Sequence, residues 1–166
     1  MKLTIETIKQ LIKEELRSLT EDEDFSKEII DILKAGDYKQ ADFFLDNMAM
    51  TFKDINFSGA DLSGIDLDDV EKAPDLSGVN FSKANLTRAN LADVNLAGAN
   101  LSGAILKKAD LRDAILSGAN FAGADLGGAN FRRADMTGAD LSGAIYDELT
   151  RWSKGFNPEE AGAIRK

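Results

Sequence analysis

The side chains in this 166-residue sequence best suited to chemistry are the carboxylates of Asp66, Asp68, Asp69, Glu71 and Asp75, crowded into one short stretch. A hard cation such as calcium needs several oxygens of this kind, but the spacing lacks the glycine and terminal glutamate of an EF-hand loop. A solvated acidic loop, with no metal site, is the expectation. Carboxylate pairs for general acid–base work could be drawn from the same crowd, yet nothing marks an apolar pocket that would raise one pKa. The sequence contains neither cysteine nor histidine. That removes thiolate ligands and nucleophiles, disulfides, the commonest zinc ligands and the commonest general base. No catalytic, metal-binding or cofactor-binding residue follows from the sequence, and the expected protein is not an enzyme.

The elements that must position these side chains are set by period. From Leu76 a large apolar residue returns every fifth position: Phe81, Leu86, Leu91, Leu96, Leu101, Leu106, Leu111, Leu116, Phe121, Leu126, Phe131, Met136, Leu141 and Tyr146. Two residues before nearly all of them stands Ala or Val. A period of five fits neither the 3.6 of a helix nor the 2.0 of a plain strand, so it requires a repeat architecture of its own. If each unit forms one side of a square, four units make a coil. The large residues then stack along the axis and the alanines leave room at the corners. Successive coils would pair at the strand separation of about 4.8 Å.

Residues 1–49 follow helical spacing instead. Ile5, Ile8, Leu11, Ile12, Leu16 and Leu19 share one face of an amphipathic helix. A capping box at Thr20 and Glu23 opens a second helix, which carries Phe25, Ile29, Ile30 and Leu33 and stops at Gly36. A third begins near Asp37, with Ala41, Phe44, Leu45 and Met48. Repeats begin near Phe52 and Phe57, pass through Leu62 and Leu67, and break at 70–74. Leu76 then follows Leu67 one residue short of two units, and Pro74 stands in an alanine slot. The break reads as a missing residue and a remade corner, with the coil otherwise in register. After Tyr146 the pattern stops. Tyr146, Trp152 and Phe156 are expected to cover the last exposed layer, and Asn157-Pro158-Glu159-Glu160 to open a short terminal helix.

Units such as Ala84-Asn85-Leu86-Thr87-Arg88 and Ala109-Asp110-Leu111-Arg112-Asp113 resemble those of the pentapeptide repeat family. The stretch from Thr150-Arg151-Trp152 to Gly155-Phe156-Asn157-Pro158 is similar to the C-terminal cap of members from photosynthetic bacteria. The resemblance implies an all-β solenoid, a right-handed quadrilateral β-helix over 50–147, with a small N-terminal α-helical module over 1–49 and a C-terminal cap over 148–166. It also raises a rival function, since some members mimic duplex DNA and bind type II topoisomerases such as gyrase. Charge density opposes that role here. DNA carries one charge per about 1.7 Å, so each coil would need nearly three net negatives, or about a dozen over the tube. Residues 50–148 hold fifteen acidic and nine basic residues, a net of −6.

Sorting every fourth unit onto one side places Phe57, Leu76, Leu96, Leu116 and Met136 on a first column, and Leu62, Phe81, Leu101, Phe121 and Leu141 on its neighbour. Both are followed by small residues, Ser-Gly or Ala-Gly for the most part, with Lys83 the exception. These two sides should be smooth. The others carry Arg88, Lys107, Lys108, Arg112, Arg132 and Arg133 beside Asp68, Asp69, Asp93 and Asp113. The glycines are expected at corners that need positive φ. A smooth side suits a protein partner, the N-terminal helices, or a second copy of the chain forming a homodimer. Ile105, Ile115 and Ile145 replace the usual Asp or Asn at a partly exposed position. The overall charge of −9 argues against nonspecific binding to nucleic acid or anionic membrane. No apolar run approaches the roughly 18 residues of a membrane span. The reading is a cytoplasmic, non-catalytic interaction scaffold.

Overall fold

The computed structural model describes residues 27, 30–32, 34–35, 51–67 and 75–166. Every isolated bridge is parallel, and from Asp75 to Asp125 each joins residues twenty apart, as in Asn80 to Asn100, Asn100 to Asn120 and Asn120 to Asp140. Twenty residues per coil and a bridge every five give a four-sided β-helix. Each side is too short between its corners for more than one bridging residue. Among the described residues, two-residue strands, β1 (Ile145–Tyr146) and β2 (Ile164–Arg165), occur only at the C-terminal end.

One unit shows how the sequence produces the coil. Leu101 N–H donates to the Asn120 carbonyl at 2.7 Å and Gly103 N–H to Ala122 at 2.8 Å, while Asn100 N–H reaches back to Val79 at 2.9 Å. Ala104 N–H returns to the Leu101 carbonyl at 3.0 Å and closes the turn. The residue before that alanine has positive φ in every unit from Gly78 to Gly143, the condition of a type II turn. Glycine meets it without cost, but Lys83, Arg88, Asp93, Lys108, Asp113 and Arg133 meet it too, with φ of 58–61°. Ladder bonds on both sides of each corner hold the backbone there whatever the side chain.

The Asp or Asn before each central residue has its own reason. Its side-chain oxygen accepts the N–H two residues on, as in Ser102 N to Asn100 Oδ1 at 3.2 Å. Asparagine adds a bond between coils, as in Asn95 Nδ2 to Asp75 Oδ1 at 2.9 Å. None of the fifteen isolated bridges among the described residues places two aspartates in register, so the carboxylates of these bridging columns are not stacked on one another.

The core is the stack of central residues. Leu76, Phe81, Leu86, Leu91, Leu96, Leu101, Leu106, Leu111, Leu116, Phe121, Leu126, Phe131, Met136 and Leu141 are all at most 5% exposed. Val79, Ala84, Ala89, Val94 and Ala99 are buried between them. In the first coils an apolar space of about 10 Å³, lined by residues including Phe52, Ile65 and Leu91, is about the size of one water and offers it no polar partner.

The repeat interruption resolves differently from the expectation. Asn56, Asp61 and Asp66 bridge Asn80, Asn85 and Asn90, each pair 24 residues apart. The first coil therefore holds four extra residues rather than one too few. A nine-residue interval is ten less one or five plus four, and counting alone does not separate these. Losing a residue would break a side's ladder, whereas four extra residues can leave the tube between two sides and preserve every rung. The columns shift accordingly. Phe57 stacks on Phe81, with centroids 5.1 Å apart, and not on Leu76. Leu62 lies under Leu86 and Leu67 under Leu91, through the bridges of the residues before them.

The first side is thus Leu76, Leu96, Leu116 and Met136. The second is Phe57, Phe81, Leu101, Phe121 and Leu141. The third is Leu62, Leu86, Leu106, Leu126 and Tyr146, and the fourth is Leu67, Leu91, Leu111 and Phe131. A short 3₁₀ turn, Phe52–Asp54, precedes the first coil. Of the expected N-terminal helices, Lys27, Ile30–Ile32 and Lys34 are helical; the first and third lie outside the described residues. Ile30 and Ile32 pack partly buried against the core, and Lys34 reaches Asp61 at 3.4 Å.

At the other end the expected terminal helix is replaced by a single wide turn. Ala161 N–H donates to Asn157, Gly162 to Glu159 and Ala163 to Pro158. Gly162, at φ +94°, then sends the chain back into β2, which pairs in parallel with β1. So short a helix is marginal. Pairing instead gives Ile164 N–H the Ala144 carbonyl at 2.7 Å and Lys166 N–H that of Tyr146 at 2.9 Å.

Candidate interaction surface

Since the core residues fill the axis, the surface available for function is the four outer sides, their corners and the closed end. Once Phe57 and Leu62 are moved to their true columns, the first side presents Ser77-Gly78, Ala97-Gly98, Ser117-Gly118 and Thr137-Gly138. The second presents Ser58-Gly59, Ser82-Lys83, Ser102-Gly103, Ala122-Gly123 and Ser142-Gly143. A β-carbon placed on Gly59, Gly98, Gly118, Gly123 or Gly143 would meet nothing within 4 Å, so these glycines are open to solvent and not forced by crowding.

Acidic residues of the smooth sides are committed to local bonds. Hydrogen bonds from the side chain and then the backbone N–H of Ser77, Thr137 and Ser142 hold the carboxyls of Asp75, Asp135 and Asp140 below their ordinary value. Of the acidic cluster singled out from sequence, Asp66 accepts Asn90 Nδ2 at 2.8 Å and Asp75 is bonded as above. Asp68, Asp69 and Glu71 lie outside the described residues. Among the described residues no three acidic side chains converge as a metal would require.

The third and fourth sides carry the charge. Arg133 Nε donates to Asp113 Oδ1 at 2.6 Å across one rung, and this bond holds the Asp113 carboxyl down and the Arg133 guanidinium up. Arg112 pairs with Asp110 at 2.7 Å and Lys107 with Asp125 at 3.1 Å. Arg88 and Lys108, in neighbouring coils at the corner between these sides, have no ion-pair partner among the described residues. Ile105 is 40% exposed on the third side and Ile115 44% exposed on the first; Ile145 is half-buried beside Ile164.

The closed end is built by side chains. Trp152 stacks on Phe131 with centroids 4.8 Å apart and nearly parallel planes, meets Tyr146 edge-on at 5.4 Å, and lies against Phe156 at 5.5 Å. Tyr146 is buried; Trp152 and Phe156 are partly covered and pack on the core. Tyr146 Oη donates to Glu159 at 2.8 Å, which raises the phenol's pKa. Backbone groups left open by the missing coil, among them the Gly128 N–H and the Ala134 carbonyl, find a carboxylate and hydroxyls. The hydroxyls also bond the Leu126 and Phe131 carbonyls, which already accept the N–H of their own turns. Thr150 Oγ1 donates to the Leu126 carbonyl at 3.0 Å, and Ser153 Oγ reaches the Phe131 and Ala134 carbonyls at 2.7 and 2.6 Å. Asp147 Oδ1 accepts the N–H groups of Gly128, Leu149 and Thr150 at 2.9, 3.0 and 3.1 Å. Burial would raise its pKa, but these bonds outweigh it and leave the carboxyl below its ordinary value. The sequence reading singled out the aromatic residues and missed Asp147, Thr150 and Ser153, whose Asp-x-x-Thr spacing is the signal that could have found them.

Among known proteins, the model of pentapeptide repeats matches in eight copies over residues 75–113 and 114–145. A solved pentapeptide repeat protein, alr5209 from Nostoc Pcc 7120, is 35% identical over 64% of this chain and 84% of its own, with a TM-score of 0.30. Rfr23 from the cyanobacterium Cyanothece 51142 is 33% identical over 55% of this chain, with a TM-score of 0.46. This chain spans only 56% of Rfr23. QnrB1, a plasmid-mediated fluoroquinolone resistance protein, is 20% identical over 68% of this chain and 80% of its own, with a TM-score of 0.28. No curated protein matches the sequence. Kinship rests on the repeat match and the sequence identity, not on the superpositions.

Proposed function

Because this chain belongs to the pentapeptide repeat family, whose repeats form a right-handed β-helix, we propose that it is a non-catalytic scaffold that docks a protein partner on its outer sides. The observation that carries this reading is the division of the tube into two smooth sides and two charged ones around a filled axis. A side of Ser, Ala and Gly lets another backbone approach closely and costs little side-chain entropy on ordering. Within the helical module expected over 1–49, Ile30 and Ile32 lie against the core, which supports a role for that segment in covering the tube. Residues 148–166 cap the other end. Cytoplasmic residence goes with this reading. Among the described residues no helix is long and apolar enough to cross a membrane.

The test is affinity capture by the intact protein beside a Gly98→Arg, Gly118→Arg variant. Arginine already occupies the same positive-φ position at Arg88 and Arg133, so the variant should fold. A partner held by the native chain and lost by the variant supports docking on the smooth sides. Recovery of no specific partner, or measurable turnover of a substrate, removes the scaffold reading.

The second reading is a DNA-mimic modulator of a type II topoisomerase, favoured by the likeness to a fluoroquinolone resistance protein. The spacing of the acids speaks against it. Aspartates never follow one another along the bridged columns, one of which holds a single aspartate after four asparagines, and several acids are paired with cations. A DNA surface instead repeats its charge without interruption. Potent inhibition of gyrase supercoiling by the purified chain would reverse the preference.

A further inference from the structure

Four large apolar residues are exposed among the described residues, and three of them gather on or beside the third side. Ile105 and Ile164 lie on its outward column, where Ile164 is the register partner of Ile145, and Leu149 flanks its corner with the fourth side at Gly128. That column runs Asp61, Asn85, Ile105, Asp125, Ile145 through successive bridges. Ile105 and Ile145 forfeit the side-chain hydrogen bonds that Asp61, Asn85 and Asp125 make in the same column.

Beside the isoleucines stands a row of cations. Arg88 and Lys108 occupy consecutive rungs of the corner, both exposed, both at positive φ and neither ion-paired among the described residues. The Lys108 side chain lies over Gly128, with Leu149 on that glycine's other flank. The acids of this side are largely spent: Lys107 neutralises Asp125 at 3.1 Å, Lys34 pairs with Asp61 at 3.4 Å, and the Asp147 carboxylate serves the cap. Glu148 is the remaining exposed one. In a chain of net charge −9, a cationic edge along an apolar stripe is the reverse of the general surface.

We infer that the third side and its corner with the fourth form a docking surface for an acidic amphipathic helix of a partner protein, laid along the tube axis. This deepens the scaffold reading and rests on it. Spacing favours a helix as the occupant. Ile105 and Ile145 are two rungs apart, about 9.6 Å, close to the roughly 10.8 Å of two helical turns. A helix with apolar residues at i, i+3, i+4 and i+7 can seat that stripe on the isoleucine column and carry glutamates on the flank facing Arg88 and Lys108. The charge pairs would set orientation and association rate, and the isoleucines and Leu149 would supply the buried apolar contact.

The surface is testable with fold-neutral variants because the molecule already contains the substitutes. Aspartate occupies the positive-φ corner at Asp93 and Asp113, so Arg88→Asp with Lys108→Asp keeps the backbone, and Ile105→Asn restores the residue type of the neighbouring coils. The whole 166-residue chain is titrated with a labelled synthetic amphipathic helix of about 18 residues bearing glutamate on its polar face, and with the same helix bearing lysine. Binding of the acidic peptide alone is expected, weakening as salt rises. The charge-reversal pair and Ile105→Asn should each weaken it by at least about tenfold. Absence of binding, or equal binding to all variants, overturns the inference, as does stronger binding of the same residues to duplex DNA or anionic phosphatidylglycerol vesicles. If the captured partner of the scaffold test is still held by the charge-reversal variant, this surface is wrong and the scaffold reading survives. If no partner is captured by the native chain, the scaffold reading fails first.

Discussion

The regular coils and the closed C-terminal end solve the same problem with different chemistry. Both must cover a column of apolar side chains and satisfy the backbone groups that edge it. Inside the stack each coil does this for its neighbour, through ladder bonds such as Leu101 to Asn120 repeated on every side. Past Tyr146 no further consensus coil follows. There Trp152 stands where the next central residue of the fourth side would be, and Thr150, Ser153 and Asp147 supply the missing partners. Redundancy is the difference. A rung is one of many alike, whereas the cap's arrangement of side chains occurs once among the described residues.

The sharpest way to break this comparison is inside the stack. Leu101→Asp buries a carboxylate at a fully enclosed position and should cost more than about 4 kcal/mol, abolishing the cooperative transition in chemical denaturation. An unchanged midpoint would mean that the column does not hold the tube together. Next comes Trp152→Ala, which removes the stack on Phe131 and the edge contact to Tyr146; a loss of about 2–4 kcal/mol is expected. If that loss is under about 0.5 kcal/mol, the closed end is a passive tail and not a cap.

Glycines sharpen the contrast. At Gly118 an added β-carbon meets open space, so Gly118→Ala should cost only the positive-φ term, about 1 kcal/mol. At Gly162 the same carbon would lie 3.0 Å from Ser142 Cα, so Gly162→Ala should cost about 2 kcal/mol or more and loosen β2 in hydrogen exchange. Equal costs would erase the distinction between a corner shaped by its ladder and a turn pressed against the coil.

Acid gives the smallest and most diffuse effect. Asp61, Asp75, Asp113, Asp135, Asp140 and Asp147 are all held below their ordinary pKa in the folded chain. The unfolded chain therefore takes up protons first, and the stability these carboxylates contribute is fully present above about pH 5 and falls as the pH drops further. Asp147→Asn should remove part of that acid limb. A melting temperature that rises on acidification through this window would contradict the sign.

These differences also explain what could be read in advance. The stack was legible because its determinant is local and repeated: Leu at every fifth position, Ala two before it, Asp or Asn between. Trp152 and Phe156 stood out as aromatic residues after a pattern had stopped. The hydrogen-bonding of Asp147, Thr150 and Ser153 did not, since it depends on which carbonyls the preceding coil leaves open. The interruption was misread for a related reason. An interval of nine from Leu67 to Leu76 fits two arithmetics, and bridges such as that from Asp66 to Asn90 select the insertion.

Period by itself determined that the chain winds in fives around a filled axis, and composition determined that no thiol or imidazole chemistry takes place on it. Tertiary structure decided how the units before the interruption lie over those after it, and hence that Phe57 stacks on Phe81 and Leu62 lies under Leu86. The physical reason is reach. A five-residue unit encodes its own turn and inward residue through contacts with its neighbours in sequence. Stacking is set by hydrogen bonds twenty or more residues away, which extra residues between units shift without altering any single unit.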